Sequence, residues 1–183
     1  MPRRARSELP SGIYHVTSRG TDHSPIYLDD IDRKAFVTLL GSVVARHDWT
    51  CHAFCLMTTH YHLIVETDQA NLSRGMRRLN GGYAQTFNER HDRRGHLFGG
   101  RYSEYVIDRE EHLEASCLYV LENPAKAGLI DWPWVRSYPE RLRSPRETRG
   151  DCGRDARSPL LVHEFAAVAD VVRQDVFAEA VGG

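Results

Sequence analysis

The sequence is short of everything that would place it in a membrane or in a secreted, disulfide-stapled scaffold. No stretch of its 183 residues approaches the ~20 uninterrupted apolar positions that a membrane-crossing helix requires. The basic start, Met-Pro-Arg-Arg-Ala-Arg-Ser-Glu, lacks the apolar run of a secretory signal. A cytoplasmic protein without a membrane partner is therefore expected. Only four cysteines occur, at 51, 55, 117 and 152, without the dense, regular spacing of a disulfide framework. In a reducing compartment they read as buried thiols. Net charge is nearly absent too, −1 at pH 7, so bulk charge argues for no polyanionic partner. No internal repeat is visible.

What remains is the composition of an ordinary soluble domain, 41% hydrophobic and 27% charged. The length suits one domain and a modest extension rather than two full domains. A domain of about 150 residues buries roughly two-thirds of its unfolded surface, enough for a core without staples. Charge is unevenly spread. Residues 71–101 hold seven arginines (Arg74, Arg77, Arg78, Arg90, Arg93, Arg94 and Arg101) against Glu89 and Asp92. Arg3, Arg4 and Arg6 form a second cluster. Such patches bind phosphates even in a chain near neutrality, although a solvated face has the same composition.

The hydrophobic pattern alternates between periods. Gly12 to Gly20 is a β-branched and aromatic run bounded by glycines, which predicts a strand. Asp29-Asp30 opens a helix whose apolar positions Phe36, Leu39, Leu40, Val43 and Val44 recur until about His47. Two apolar runs, Cys51 to Met57 and His60 to Thr67, flank Thr58-Thr59 and predict a β-hairpin in mid-sheet. Leu72, Met76, Leu79, Tyr83 and Phe87 mark a second helix, with Gly81-Gly82 as a candidate break. Arg101 to Asp108 alternates as a strand, and Glu110-Glu111 begin a third helix expected to stop at Asn123, before Pro124.

Strand, helix, strand, strand, helix, strand, helix is the order of a split βαβ, ferredoxin-like or RRM-like α+β domain. It predicts a four-stranded, mainly antiparallel sheet with helices packed on it. The domain is expected over 1–139, followed over 140–183 by a linker rich in Arg, Pro and Ser and a terminal helix near Leu160 to Val181.

Two constellations carry chemistry. His60 and His62 stand two apart in a predicted strand, so they project on one face about 6.6 Å apart. Two neutral imidazoles so placed can converge on a divalent ion, and two histidines on a polar sheet face look the same in sequence. Glu66 shares that face. Tyr119 and Asn123 stand four apart on the third helix and share a side of it. A free phenol titrates near 10 and attacks only when activated, and half-buried packing is the ordinary use of a helical tyrosine. Cys51-x3-Cys55 followed by His60 and His62 also invites a zinc-finger reading, but His-x-His departs from the usual second-pair spacing.

Taken together, these segments resemble the HUH single-tyrosine transposases, and among them the REP-associated tyrosine transposases of bacteria. The resemblance runs from about Pro10 to Tyr138. It rests on five segments in order: Gly-Ile-Tyr-His-Val-Thr-Ser-Arg-Gly; Cys-His-Ala-Phe-Cys-Leu-Met leading into His60-Tyr61-His62-Leu-Ile-Val-Glu-Thr; Asn-Leu-Ser-Arg-Gly-Met-Arg-Arg-Leu-Asn-Gly; His-Leu-Phe-Gly-Gly-Arg-Tyr; and Tyr119-Val-Leu-Glu-Asn-Pro-Ala-Lys-Ala-Gly-Leu. Thr58-Thr59 stand where the family usually has Pro-Asn.

The resemblance implies an HUH endonuclease fold in which His60, His62 and Asn123 hold Mg²⁺ or Mn²⁺ and Tyr119 is the nucleophile. It implies cleavage and rejoining of single-stranded, hairpin-bearing DNA through a 5′-phosphotyrosine link, by a monomer or homodimer. Arg74, Arg77, Arg78, Arg93 and Arg94 are the candidate phosphate contacts. Tyr14, Tyr102 and Tyr105 are candidates for stacking on unpaired bases. A catalytically silent DNA-binding module of the same fold, or a zinc-stabilised binding domain, are the rival readings.

Overall fold

The structure, a computed structural model, describes residues 9–137. The arginine cluster at 3–6, the linker and the expected terminal helix lie outside the described residues.

Each element forms where its local chemistry directs. β1 (Gly12–Arg19) follows the glycine-bounded run. α1 (Asp30–His47) is capped by Asp29, whose carboxylate accepts from the backbone N–H of Asp32 at 3.0 Å, satisfying one of the free donors of the first turn. The hairpin is β2 (Trp49–Leu56) and β3 (His60–Thr67). α2 (Leu72–Arg90) runs unbroken through Gly81-Gly82. The missing side chain at Gly82 leaves room for Leu39 of α1, which a Cβ there would meet at 3.2 Å. β4 (Ser103–Ile107) and α3 (Glu110–Lys126) follow.

Two expectations need correction. α3 does not stop at Asn123 but continues to Lys126, with Pro124 inside it. Proline removes one N–H and its φ is already helical, and so close to the end only one bond is lost. The C-terminal turn then closes through Ala127 N–H onto the Asn123 and Pro124 carbonyls and Gly128 N–H onto Ala125, with Gly128 at φ 75°. The sheet has five strands rather than four, because Val135–Ser137 (β5) pairs with β2. Trp132 and Trp134 anchor that strand, their indole N–H groups donating to the Leu56 carbonyl and the Asp30 carboxylate, both at 2.9 Å.

The order is β4-β1-β3-β2-β5, with every pairing antiparallel. Its first four strands have the order of the split βαβ arrangement. Side-chain alternation sends Tyr14, Val16, Tyr61, Leu63 and Val65 to one face, beneath α1 and α2, where they join the principal core with Phe36, Leu40, Met76, Leu79 and Tyr83. The other face carries a smaller core. There Leu113, Cys117 and Val120 of α3 lie on Ala53, Cys55, Ile64 and Ile107. β3 lies in the middle of the sheet, its odd-numbered residues under the helix pair and its even-numbered ones under or beside α3.

Candidate active site

The even-numbered face of β3 begins with His60 and His62. The register opposes them to Arg19 and Thr17 of β1, and sets His15 opposite Ile64. His15, Thr17 and Arg19 alternate along β1 and therefore point to the same face. The result is a cluster of imidazoles. The His60 and His62 ring centres are 5.1 Å apart, those of His15 and His62 5.2 Å. A hydrogen bond of 3.0 Å joins His15 Nε2 to His62 Nδ1, and the Thr59 hydroxyl lies 3.1 Å from His60 Nδ1.

α3 brings the phenol to this cluster. Tyr119 stands next to Val120, which is wholly buried in the smaller core, so docking of the helix fixes the tyrosine beside the sheet. Its ring lies edge-on to His62 at 5.9 Å and to His15 at 6.0 Å, yet it remains 45% exposed. Asn123, one turn on, donates its Nδ2–H to the Tyr119 carbonyl at 2.8 Å, which leaves its Oδ1 as an oxygen that could serve as a ligand. The Lys126 ammonium stands 4.9 Å from the centre of the Tyr119 ring while pairing with Glu122.

Electrostatics keep the imidazoles uncharged. Burial, with His15, His60 and Arg19 nearby, pushes His62 down to about 3. Burial followed by Arg19 and His23 lowers His60, and burial lowers His15. A neutral imidazole is the form that ligates a metal. The donor chemistry of the pair therefore fits a divalent cation: two neutral nitrogens on one sheet face, each ring steadied at Nδ1 by a neighbour. Among the described residues no group of three or more His, Cys, Asp or Glu side chains could hold an ion. Oxygen from Asn123 or from a phosphate would have to complete the set.

A cavity of about 540 Å³ opens beside the pair. Its lining includes His60, His62, Arg19, His23, Gly100 and Arg101. Arg19 and Arg101 thus share a cavity wall with the histidines. Arg74, Arg77 and Arg78 are exposed on α2, which covers the opposite sheet face. Arg93 lies over the Phe87 ring at 5.5 Å, and Arg94 is exposed in the loop after α2.

Several other candidates fall away from the site. Glu66 sits at the far end of β3, where its carboxylate pairs with His52 at 3.0 Å. Tyr14 is buried with its hydroxyl donating to the Pro10 carbonyl, and Tyr102 is buried beside Ser73, so neither can stack on a base. Tyr105 is exposed, 6.4 Å from His15. Cys51 belongs to the core under α1 and α2 while Cys55 lies on the other face, so the two thiols cannot meet the histidines around one zinc. Neither His15 nor Arg19 stood out in the sequence, and Thr59 stood out only as part of the departure from Pro-Asn. Alternation along β1 was the available signal for the first two, but it acquires meaning only with the pairing register to β3.

The family model for IS200-like transposases matches residues 9–123, which contain the histidine pair, Tyr119 and Asn123. Among solved structures the chain resembles one described as a REP-associated tyrosine transposase bound to a REP hairpin. The TM-score is 0.60 at 17% identity, over 86% of this chain and 97% of that one. That likeness establishes a shared fold. A transposase from Deinococcus radiodurans R1 gives a TM-score of 0.46 at 17% identity, over 67% of this chain and 97% of that one. No curated protein matches the chain.

Proposed function

Because the chain belongs to the IS200-like transposases, we propose that it cleaves and rejoins single-stranded, hairpin-bearing DNA through a covalent link to Tyr119. The observation that carries this reading is the meeting of a half-exposed phenol from α3 with the paired imidazoles of β3, edge to ring at 5.9 Å. These groups are 57 residues or more apart in sequence.

His60, His62 and the Oδ1 of Asn123 would hold Mg²⁺ or Mn²⁺. Once bound, such an ion polarises a non-bridging phosphate oxygen as a Lewis acid. The chain's own groups do the rest. Arg19 and Arg101 at the cavity wall receive the phosphates of the strand, and the buried cluster beneath α3 holds the phenol at the edge of the histidines. As Tyr119 Oη gives up its proton to solvent and bonds to phosphorus, the bond to the upstream 3′-oxygen breaks, and that oxygen takes up a proton and leaves as a 3′-hydroxyl. The phosphodiester energy stays in the phosphotyrosine, so a second 3′-hydroxyl can rejoin the strand without a nucleotide cofactor. The substrate is proposed to carry a short hairpin of the REP type. The arginines of α2 and the following loop (74, 77, 78, 93 and 94) are available to DNA that extends around the domain.

The test incubates purified protein with Mn²⁺ and a labelled single-stranded hairpin, then resolves the mixture on a denaturing gel. A covalent adduct is expected from wild type and none from Tyr119→Phe. Survival of the adduct in that variant would move the nucleophile elsewhere. Hairpin binding without any wild-type adduct would favour a silent DNA-binding module.

A further inference from the structure

We infer that His15 is a positioning residue of the metal centre, its Nε2 accepting the Nδ1–H of His62 and so fixing which nitrogen that ring turns toward a cation. The inference rests on the proposed reading of His60 and His62 as ligands and adds to it a residue from another strand.

The argument starts from the 3.0 Å contact between His15 Nε2 and His62 Nδ1. That is a full hydrogen-bond length, so one of the two nitrogens carries a proton and the other accepts it. A neutral imidazole has one N–H and one lone pair. If His62 offers a lone pair to a metal, its remaining nitrogen must be the donor. Because Nδ1 is the nitrogen engaged by His15, Nε2 is the one left to ligate. His15 must then accept at Nε2 and keep its own proton on Nδ1.

The setting makes the acceptor a fixed one. β1 holds His15 by strand pairing on both sides, to Ile64 of β3 and Tyr105 of β4. The His15 ring is further confined between Tyr105, at 6.4 Å, and Tyr119, at 6.0 Å. His60 has a parallel arrangement, with Thr59 Oγ1 at its Nδ1. The Thr59 hydroxyl turns about its C–O bond to donate or accept, and a neutral imidazole nitrogen does either according to its tautomer, so the direction of the His62–His15 bond is what the inference assigns. The two ligands are thus oriented by different partners, His60 by a hydroxyl and His62, only 8% exposed, by a ring held within the sheet.

The experiment measures Mn²⁺ affinity by calorimetry for wild type, His15→Phe, His15→Gln and His62→Ala. It also records the ¹⁵N spectrum of histidine-labelled, metal-free protein. Phenylalanine keeps the ring packing and removes the acceptor, while glutamine retains an oxygen that can accept the same proton. Wild type should place the His62 proton on Nδ1. His15→Phe should bind Mn²⁺ roughly 10–100-fold more weakly, and His15→Gln should recover most of that loss. Melting temperature, and binding of a labelled single-stranded hairpin in the presence of chelator, should stay at wild-type values in both.

A His62 proton on Nε2 in wild type, or Mn²⁺ affinity of His15→Phe within error of wild type, overturns the inference while leaving the metal reading intact. A loss in His15→Phe as deep as in His62→Ala and not recovered by glutamine also overturns it, making His15 a ligand. Equal Mn²⁺ affinity of wild type and His62→Ala sinks the metal reading itself, and this inference with it.

Discussion

Shortening Val120 to alanine tests how the phenol is held at the histidines. α3 meets the sheet through Leu113, Cys117 and Val120, while its neighbours Leu118 and Leu121 are exposed and Tyr119 lies half-exposed against His15 and His62. Val120 is fully buried against this small cluster. Val120→Ala removes two methyl groups, about 1.6 kcal/mol of transfer free energy at ~0.8 kcal/mol each. A partly relaxed cavity brings the total to about 2 kcal/mol.

Because the principal core lies on the other face, the loss should appear as local opening of α3 rather than as global unfolding. About 2 kcal/mol corresponds to a roughly 30-fold change in an opening equilibrium. Native-state hydrogen exchange should therefore show α3 amides exchanging about 30-fold faster, with β1 and β3 unchanged. Covalent adduct formation on hairpin DNA should slow even though Tyr119 is intact. Wild-type exchange rates in α3, or equal acceleration in every strand, would refute the reasoning that this small core alone positions the nucleophile.

Four further outcomes are expected. Gly75→Ala should destabilise by about 1–3 kcal/mol in thermal melts, since its Cβ would fall 2.2 Å from a Trp49 ring atom in a side chain whose indole N–H is bonded to Asn71. Gly81→Ala, with nothing within 4 Å, should instead stabilise by up to about 1 kcal/mol. The double variant Arg19→Ala, Arg101→Ala should flatten the log–log salt dependence of single-strand binding by about 1.4, more than loss of Arg77 and Arg78. Hydrogen bonding from Arg90, more than the backbone N–H of Asp32, holds the Asp29 carboxyl below its ordinary value. Its contribution to stability is present above the unfolded value of about 3.9 and is lost as pH falls through the folded value. Arg90→Met should remove that part of the acid transition in denaturation curves.

The strands and helices that could be read in the sequence are those whose partners are implied by periodicity. Tyr61, Leu63 and Val65 alternate with His60, His62 and Ile64, and that alone divides β3 between the principal core and the face that α3 partly covers. The phenol at 119 was legible through the spacing to Asn123 and the resemblance of the whole segment. What stayed hidden depends on register or on edge pairing. His15 gains its role only because β1 runs antiparallel to β3 in the register that places Thr17 opposite His62. β5 is three residues long, shorter than any alternation can reveal, and is fixed by two tryptophans bonding to β2 and α1. Arg19 and Arg101 become neighbours of the histidines through the pairing of β1 with β3 and the loop that precedes β4. The denser arginine cluster of α2 drew attention to the opposite face.

The unequal burial of the two sheet faces suits the proposed chemistry. The histidines stand on β3, whose other side is locked into the principal core by Tyr61, Leu63 and Val65, so their spacing is set by the most rigid part of the domain. The tyrosine stands on a helix held by a much smaller core, and its own side chain is half exposed. A strand transferase needs both properties. Its phosphate-binding groups must keep one geometry for cleavage and rejoining, whereas its nucleophile must accept a DNA end and leave room for a second 3′-hydroxyl to approach the same phosphorus. Strengthening the α3 contact, for instance by Cys117→Val against Ala53 and Ile64, should therefore stabilise the helix while slowing strand exchange relative to cleavage. Parallel gains in stability and in both steps would show that helix mobility plays no part.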